Sequence, residues 1–390
     1  MAITRADRSV LAEWWFTVDR RLFVAAIALA AIGLVVSFAA TPAVAVKKGL
    51  PPLYFVERQA LFAALGLCVM TAISLLDPRG VRRLALVLFG GGIVLMILVL
   101  TSGEEINGAR RWLRVSGFSL QPSELAKPAF VVLAAWAFAE TTRRRDLPAL
   151  PVAIGLFATF ALLLVQQPDV GQTVLISLVW GALFILAGQS LAWAVALVAG
   201  GIAGLATAYV TLGYVKARID RFIAPTPGDN SQVDRALQAF AEGGLFGRGP
   251  GEGTIKTILP DAHTDFILAV IAEEYGAVAC LALIVLFAYL TFRPIVRSTR
   301  SSDPFVRLAV PGLALLLAFQ TLINMGVNTG LLPPKGMTLP FISAGGSSAL
   351  ATAVTVGMLL ALTRRRPALD AVVISALPHS SSLIGEKAVR

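Results

Sequence analysis

The residues best suited to chemistry stand where polarity changes. In Leu259-Pro-Asp-Ala-His-Thr-Asp-Phe266 a polar, glycine-rich stretch gives way to a long apolar one, and Asp265 marks the boundary. A carboxylate there faces both water and any lipid-anchored substrate. It can take a proton from a hydroxyl as a general base or hold a divalent cation; capping the helix that follows is its plainer use. Glu273 and Glu274 follow in the same apolar stretch. In a continuous helix Glu273 sits roughly 12 Å below Asp265, at about 1.5 Å per residue, and charges at such depth must be paired inside the protein.

Two other segments break the apolar pattern. Gln121-Pro-Ser-Glu-Leu-Ala-Lys-Pro128 sets Glu124 and Lys127 at neighbouring helical positions. Leu332-Pro-Pro-Lys-Gly-Met-Thr-Leu-Pro-Phe-Ile-Ser-Ala-Gly-Gly-Ser-Ser348 cannot run as regular helix. Irregular backbone beside a membrane is tolerated where it lines a cavity, so both segments are expected to wall one outward-facing site.

The elements that must position these residues are membrane helices. Of 390 residues, 57% are hydrophobic and only 14% charged, with a mean hydropathy of +0.78. A soluble domain carries roughly 25% charged residues. The apolar residues fall in blocks near the ~20 residues that cross a bilayer, at 22–40, 59–76, 84–101, 128–141, 149–165, 172–188, 191–210, 265–292, 305–324 and 345–363. The expected fold is therefore all-α, a polytopic bundle of about ten transmembrane helices. It divides into a segment 1–21, a transmembrane domain 22–363 and a tail 364–390.

Arginines set the orientation. Arg5, Arg8, Arg20 and Arg21 precede the first span, and Arg79, Arg82 and Arg83 follow the second. Arg143, Arg144 and Arg145 follow the fourth, Arg293, Arg297 and Arg300 the eighth, and Arg364, Arg365 and Arg366 the tenth. An even number of spans puts them all on one side, so both termini are expected in the cytoplasm. This accounts for most of the net charge of +10 and argues against a nucleic-acid partner. Ala43-Val44-Ala45 has the look of a signal-peptidase site, yet the stretch before it is long and acidic residues precede that, which favours an uncleaved first helix. Cys68 and Cys280 lie in apolar spans and imply neither a disulfide nor a thiolate metal site.

That topology places 102–127, 211–264 and 325–344 outside, and these loops are unexpectedly cationic. Arg110, Arg111, Arg114 and Lys127 lie in the first; Lys216, Arg218, Arg221, Arg248 and Lys256 in the second; Lys335 in the third. Together they point to an anionic ligand such as a pyrophosphate or phospholipid headgroup. In the large loop, Ser231 and Asp234 resemble a capping box before Val233, Leu237 and Phe240, which predicts an amphipathic helix on the membrane surface. The run from Gly243 to Gly251 lets backbone N–H groups approach an anion, although flexible turns explain it equally.

Taken together, Asn107-Gly-Ala-Arg-Arg-Trp112, Gln121-Pro-Ser-Glu124, Pro260-Asp-Ala-His-Thr-Asp-Phe266 with Glu273-Glu274, and Lys335 to Ser348 resemble the SEDS family (shape, elongation, division and sporulation). Four separated motifs match in order across nearly the whole span region. The last motif is closer to the division branch than to the elongation branch, and it departs at Ala344, where many relatives have Tyr. The resemblance implies a peptidoglycan glycosyltransferase of the bacterial inner membrane, acting at the division septum. It would join lipid II units to a nascent glycan strand beside a class B penicillin-binding protein and other divisome proteins. Asp265 matches the family's essential aspartate. Arg110, Arg111, Lys127, Lys216, Arg218 and Lys335 become candidates for steadying the leaving pyrophosphate, and Lys127 has a second candidate role as resting partner of Asp265. Gln121, Ser123, Glu124, His263, Thr264, Ser343, Gly345 and Gly346 complete the expected substrate contacts. No cofactor is fixed by the sequence, and a divalent cation (Mg or Mn) held by Asp265 on the pyrophosphate stays open. A lipid II flippase and a non-catalytic divisome scaffold are the alternative readings.

Overall fold

A computed structural model describes residues 9–106, 109–115, 118–143, 148–224, 232–334 and 336–365. Arg5, Arg8, Asn107, Gly108, Arg144, Arg145, Ser231, Lys335 and the tail from Arg366 lie outside the described residues. The first helices are α1 (Val10–Thr17), α2 (Arg20–Ala40), α3 (Pro42–Lys47), α4 (Tyr54–Ser74) and α5 (Pro78–Ser102). After a small sheet come α6 (Pro122–Arg143), α7 (Ala149–Gln166), α8 (Val170–Leu186), α9 (Leu191–Thr211) and α10 (Gly213–Ile223). The chain ends in α11 (Gln232–Gly243), α12 (Ile267–Ser298), α13 (Pro304–Asn328) and α14 (Gly346–Thr363). Among the described residues, seven helices (α2, α4, α5, α7, α12, α13 and α14) are long and apolar enough to cross a membrane. Every expected span falls on a helix. The fold is that of a polytopic helical membrane protein.

Helix starts are written in the sequence. Asp19, Asp77, Asp169 and Asp303 each cap a helix by accepting a backbone N–H, and Pro78 and Pro304 occupy first-turn positions where no N–H is needed. The α6 helix is the axis of the bundle, with every residue from Ala126 to Ala135 buried. It begins at Pro122, six residues before the expected span, so Glu124 and Lys127 lie inside the helix and not in the preceding loop. Small residues admit close neighbours. A Cβ on Gly92 of α5 would lie 2.9 Å from Ala126, and one on Gly312 of α13 would lie 2.8 Å from Val131.

Three local departures from the expected loops matter for the site. An antiparallel sheet is formed by β1 (Glu104–Ile106), β2 (Ala109–Val115) and β3 (Phe118–Leu120) in that order. The α11 helix does form, but Val233, Ala236, Ala239 and Gly243 are buried and it packs on α12. Protein covers the Val233 side of its apolar face, while Leu237 stays 43% exposed.

The third departure is in α12, which is not continuous. Gly276 adopts φ 79° and ψ 179°, and the helix breaks there. The freed carbonyls of Glu273 and Glu274 accept from the N–H groups of Arg248 (2.9 Å) and Gly249 (3.0 Å). The freed N–H groups of Ala277 and Val278 donate to Gly244 (2.9 Å) and Leu245 (3.2 Å). The glycine run thus supplies the hydrogen bonds that the break removes, as buried backbone requires. Its glycines permit contact with the helix: a Cβ on Gly247, at φ 81°, would lie 2.2 Å from the carbonyl oxygen of Glu274. Close backbone packing explains Gly243 and Gly247, whereas Gly244, Gly249 and Gly251 adopt the positive φ that turns require.

The same loop also supplies the partners of the paired glutamates. Glu273 accepts from the backbone N–H groups of Thr254 (2.6 Å), Ile255 (2.7 Å) and Lys256 (3.0 Å). Glu274 pairs with the Lys256 ammonium, which also donates to the Gly251 carbonyl at 3.2 Å. Their partners come from the loop, not from neighbouring spans.

Basic residues gather at one end of the bundle. Asp19 pairs with Arg293 and Arg297, Arg364 with Glu13 at 3.1 Å, and the Arg365 N–H donates to Thr17 at 3.1 Å. Burial alone would raise the Asp19 carboxyl, but the hydrogen bonds from Arg293 and Arg297 outweigh it and hold the group below the usual carboxylate range. Asp265 precedes α12 and Arg293 lies near its far end, with roughly 24 Å of unbroken helix between Ala277 and Arg293 at ~1.5 Å per residue.

Candidate active site

Asp265 ends a tight, fully bonded turn. The carbonyl of Asp261, itself at φ 53°, accepts from the N–H groups of Thr264 (3.0 Å), Asp265 (3.1 Å) and Phe266 (3.2 Å). From the other side, Asn324 and Asn328 of α13 both donate their side-chain amides to the Asp265 carbonyl at 2.9 Å. The Asn328 amide oxygen then accepts from the Ala269 N–H at 3.2 Å. The backbone of Asp265 is fixed while its half-buried side chain stands at the lip of the bundle.

The irregular segment before α14 closes over this turn. Ser343 donates to the Thr264 carbonyl and accepts from the Leu339 N–H at 2.8 Å. The Ala344 N–H donates to the His263 carbonyl at 2.9 Å, and Asn324 donates to the Met337 carbonyl at 2.6 Å. A Cβ on Gly336 would lie 3.5 Å from Asp265 Oδ2, so that backbone borders the carboxylate. Gly345 caps α14, and Gly346 lies where a Cβ would strike the Phe62 ring at 2.5 Å. His263 is buried against Phe55 at 5.4 Å between ring centroids, and its Nδ1 has no partner. Burial and the charge of Lys48 hold its imidazole below the usual histidine range.

A second network reaches the same segment from below. Lys127, 2% exposed, donates to Glu124 (2.8 Å), Gln172 (2.9 Å) and Gln320 (3.3 Å). Gln172 also donates to Glu124 at 2.7 Å, and Gln320 donates to the Thr338 carbonyl at 3.0 Å. The hydroxyl of Ser347 joins Gln121 and Ser119 to α14 at 3.1 Å each. The motifs at 121–127, 259–266 and 336–348 therefore meet in one connected cluster, as two walls and a floor.

Several expected ligands have other duties here. An ammonium has three donors, and those of Lys127 are all engaged by Glu124, Gln172 and Gln320. It is neither presented to a pyrophosphate nor the resting partner of Asp265. Arg111 is likewise committed: it donates to the carbonyls of Gln167 and Pro168 and lies 3.6 Å from Asp169. Arg110 is 47% exposed and pairs with Glu105 at 3.4 Å, a weak surface contact that leaves it available. Lys216 is exposed on α10, which packs on α9 and not on the cluster; Arg218 belongs to the same helix. Ser123 is buried with no partner for its hydroxyl. Among the described residues, no three His, Cys, Asp or Glu side chains converge to hold a metal. A divalent ion at Asp265 would therefore draw its other ligands from substrate phosphate and water.

Residues that do hold the site together went unread in the sequence. Gln320, Asn324 and Asn328 repeat every four residues on one face of α13, a polar stripe within an apolar span. That spacing was the available signal, and the expected span 305–324 stopped inside it. Asp169 and Gln172, at the start of α8, carried the same kind of signal.

Comparison with known proteins places this geometry. The family model described as cell cycle protein (FtsW, RodA, SpoVE) matches residues 19–367. The chain belongs to the FtsW/RodA/SpoVE family. It is 45% identical over 367 residues to a probable peptidoglycan glycosyltransferase FtsW of Caulobacter vibrioides, covering 94% of each chain. A probable FtsW of Geobacter metallireducens is 34% identical, with 89% of this chain and 95% of the relative covered. Among solved structures, a chain of a peptidoglycan synthase complex that coordinates polymerization and crosslinking superposes with a TM-score of 0.75 at 28% identity, covering 90% and 98% of the two chains. The rod shape determining protein RodA of Thermus thermophilus gives 0.65 at 28% identity, covering 90% and 97%.

Proposed function

We propose that this member of the FtsW/RodA/SpoVE family is a peptidoglycan glycosyltransferase that polymerises lipid II, with Asp265 as general base. The GlcNAc 4-hydroxyl of an acceptor attacks C1 of the donor MurNAc, and its proton passes to the Asp265 carboxylate. The bond from C1 to the undecaprenyl pyrophosphate oxygen breaks with inversion, and the leaving group takes the electron pair. A β-1,4 bond forms. One observation carries this reading: Asn324 and Asn328 grip the Asp265 backbone carbonyl, which sets its carboxylate at the lip beside the backbone of Gly336. Arg110 and Lys335 remain the cations to meet pyrophosphate as it leaves.

In this reading ten helices cross the bacterial inner membrane, both termini are cytoplasmic and 211–264 is periplasmic. Sequestration of Asp19, Arg293, Arg297 and Arg364 at the end remote from Asp265 supports that orientation. The relatives' names and the synthase complex support a class B penicillin-binding protein as partner and the division septum as the place of action.

The test is strand formation from labelled lipid II by the purified chain with its cognate transpeptidase, in the presence of moenomycin to silence other synthases. Polymer is expected. Lipid II translocation without polymer would replace the proposal with a flippase, and neither activity would leave a scaffold.

A further inference from the structure

An open cavity of about 530 Å³ lies at the end of α12 remote from Asp265. Arg293, Arg297 and Arg300 of α12 line it together with Arg365, which follows α14. Buried Asp19 binds Arg293 at 2.8 and 2.9 Å and also pairs with Arg297. The Asp19 carboxylate therefore pairs with two of the four guanidiniums. Among the described residues, nothing hydrogen-bonds or ion-pairs with the guanidinium of Arg300 or Arg365. Simple charge bias between leaflets requires neither a cavity nor the convergence of arginines from two segments distant in sequence.

The rest of the wall is apolar. The Tyr289 ring lies 5.6 Å from the Arg293 guanidinium carbon, and Phe292 and Val296 are 64% and 60% exposed. At about 100° per residue, Leu281, Val285, Phe292 and Val296 share one face of α12, and all four are exposed. An apolar stripe as long as an acyl chain thus ends at an arginine-lined cavity.

We propose that this cavity binds the phosphate headgroup of an anionic glycerophospholipid from the leaflet at that end, with an acyl chain along the Leu281–Val296 face. Guanidinium forks match phosphate oxygens. Basic hollows beside membrane helices hold such headgroups. The site is far from Asp265, so its test is independent of the polymerase reading.

The experiment titrates phosphatidylglycerol or phosphatidylcholine onto the full chain in detergent, reading retained lipid by native mass spectrometry and the melting temperature in parallel. Phosphatidylglycerol should be retained and raise the melting temperature, whereas phosphatidylcholine should do neither. Arg300→Gln and Arg365→Gln should each weaken retention about fivefold, and together about 25-fold. Both residues are exposed, so the variants should melt like wild type without lipid. Arg79→Gln, exposed at the same end but outside the cavity, should leave retention unchanged. Equal loss from Arg79→Gln, or full retention in the double variant, would overturn the site. Stabilisation by inorganic phosphate equal to that by phosphatidylglycerol would overturn its assignment to a lipid.

Discussion

Replacing Glu273 with glutamine exchanges one oxygen for an NH2 and is expected to unseat the loop that braces α12. The carboxylate accepts two N–H groups at Oε1, from Thr254 and Ile255, and one at Oε2, from Lys256. A glutamine oxygen keeps the first two, but its NH2 then meets the Lys256 N–H donor to donor. A buried N–H left without an acceptor costs about 1–3 kcal/mol, and loss of charge assistance in the other two costs about 1 kcal/mol each. The sum is about 3–5 kcal/mol against the closed loop. Hydrogen exchange at the amides of Thr254, Ile255 and Lys256 reads this opening directly. Protection should fall about 10²- to 10⁴-fold, limited by global unfolding. Unchanged protection in a folded Glu273→Gln would refute the claim that this carboxylate holds the loop.

Gly247→Ala should open the same loop by a different route, because its Cβ would meet the Glu274 carbonyl at a positive φ; proteolysis between 244 and 259 should become faster, and wild-type resistance would contradict the close packing. Lys127→Met leaves Glu124 buried without its ammonium, which should cost about 3–5 kcal/mol in denaturant unfolding, while Glu124→Gln with Lys127→Met should recover part of it. His263 is held below the usual histidine range, so the unfolded chain binds a proton that the folded chain refuses. Stability should therefore be complete above about pH 6.5 and decline as pH falls below it, by at most ~1.4 kcal/mol per unit, and His263→Phe should lessen that slope. A wild-type slope in the variant would remove His263 from the account.

How much of this was legible depends on the kind of interaction. Hydropathy marks each span because burial in lipid acts on side chains one at a time, and the turn at Asp265 was visible as an abrupt change of polarity. The sharing of backbone hydrogen bonds between residues 244–249 and the break at Gly276 was not, because backbone groups leave no residue-type signature. Gly276 looks like any glycine in an apolar run until the carbonyl of Leu245 is placed against it. The roles of Lys127 and Arg111 were misread for a related reason: a cation's charge is in the sequence, but the carbonyls and amides that occupy it are supplied by the fold.

The most direct test of the central claim compares wild type with Asp265→Asn, which keeps the shape of the side chain and removes the base. With labelled lipid II, the cognate transpeptidase and moenomycin present, polymerisation should fall by about 10²- to 10⁴-fold. Lipid II binding and the melting temperature should be retained, since the braces from Asn324 and Asn328 grip the backbone carbonyl and not the carboxylate. A folded Asp265→Asn that polymerises at the wild-type rate would contradict the assignment of Asp265 as general base.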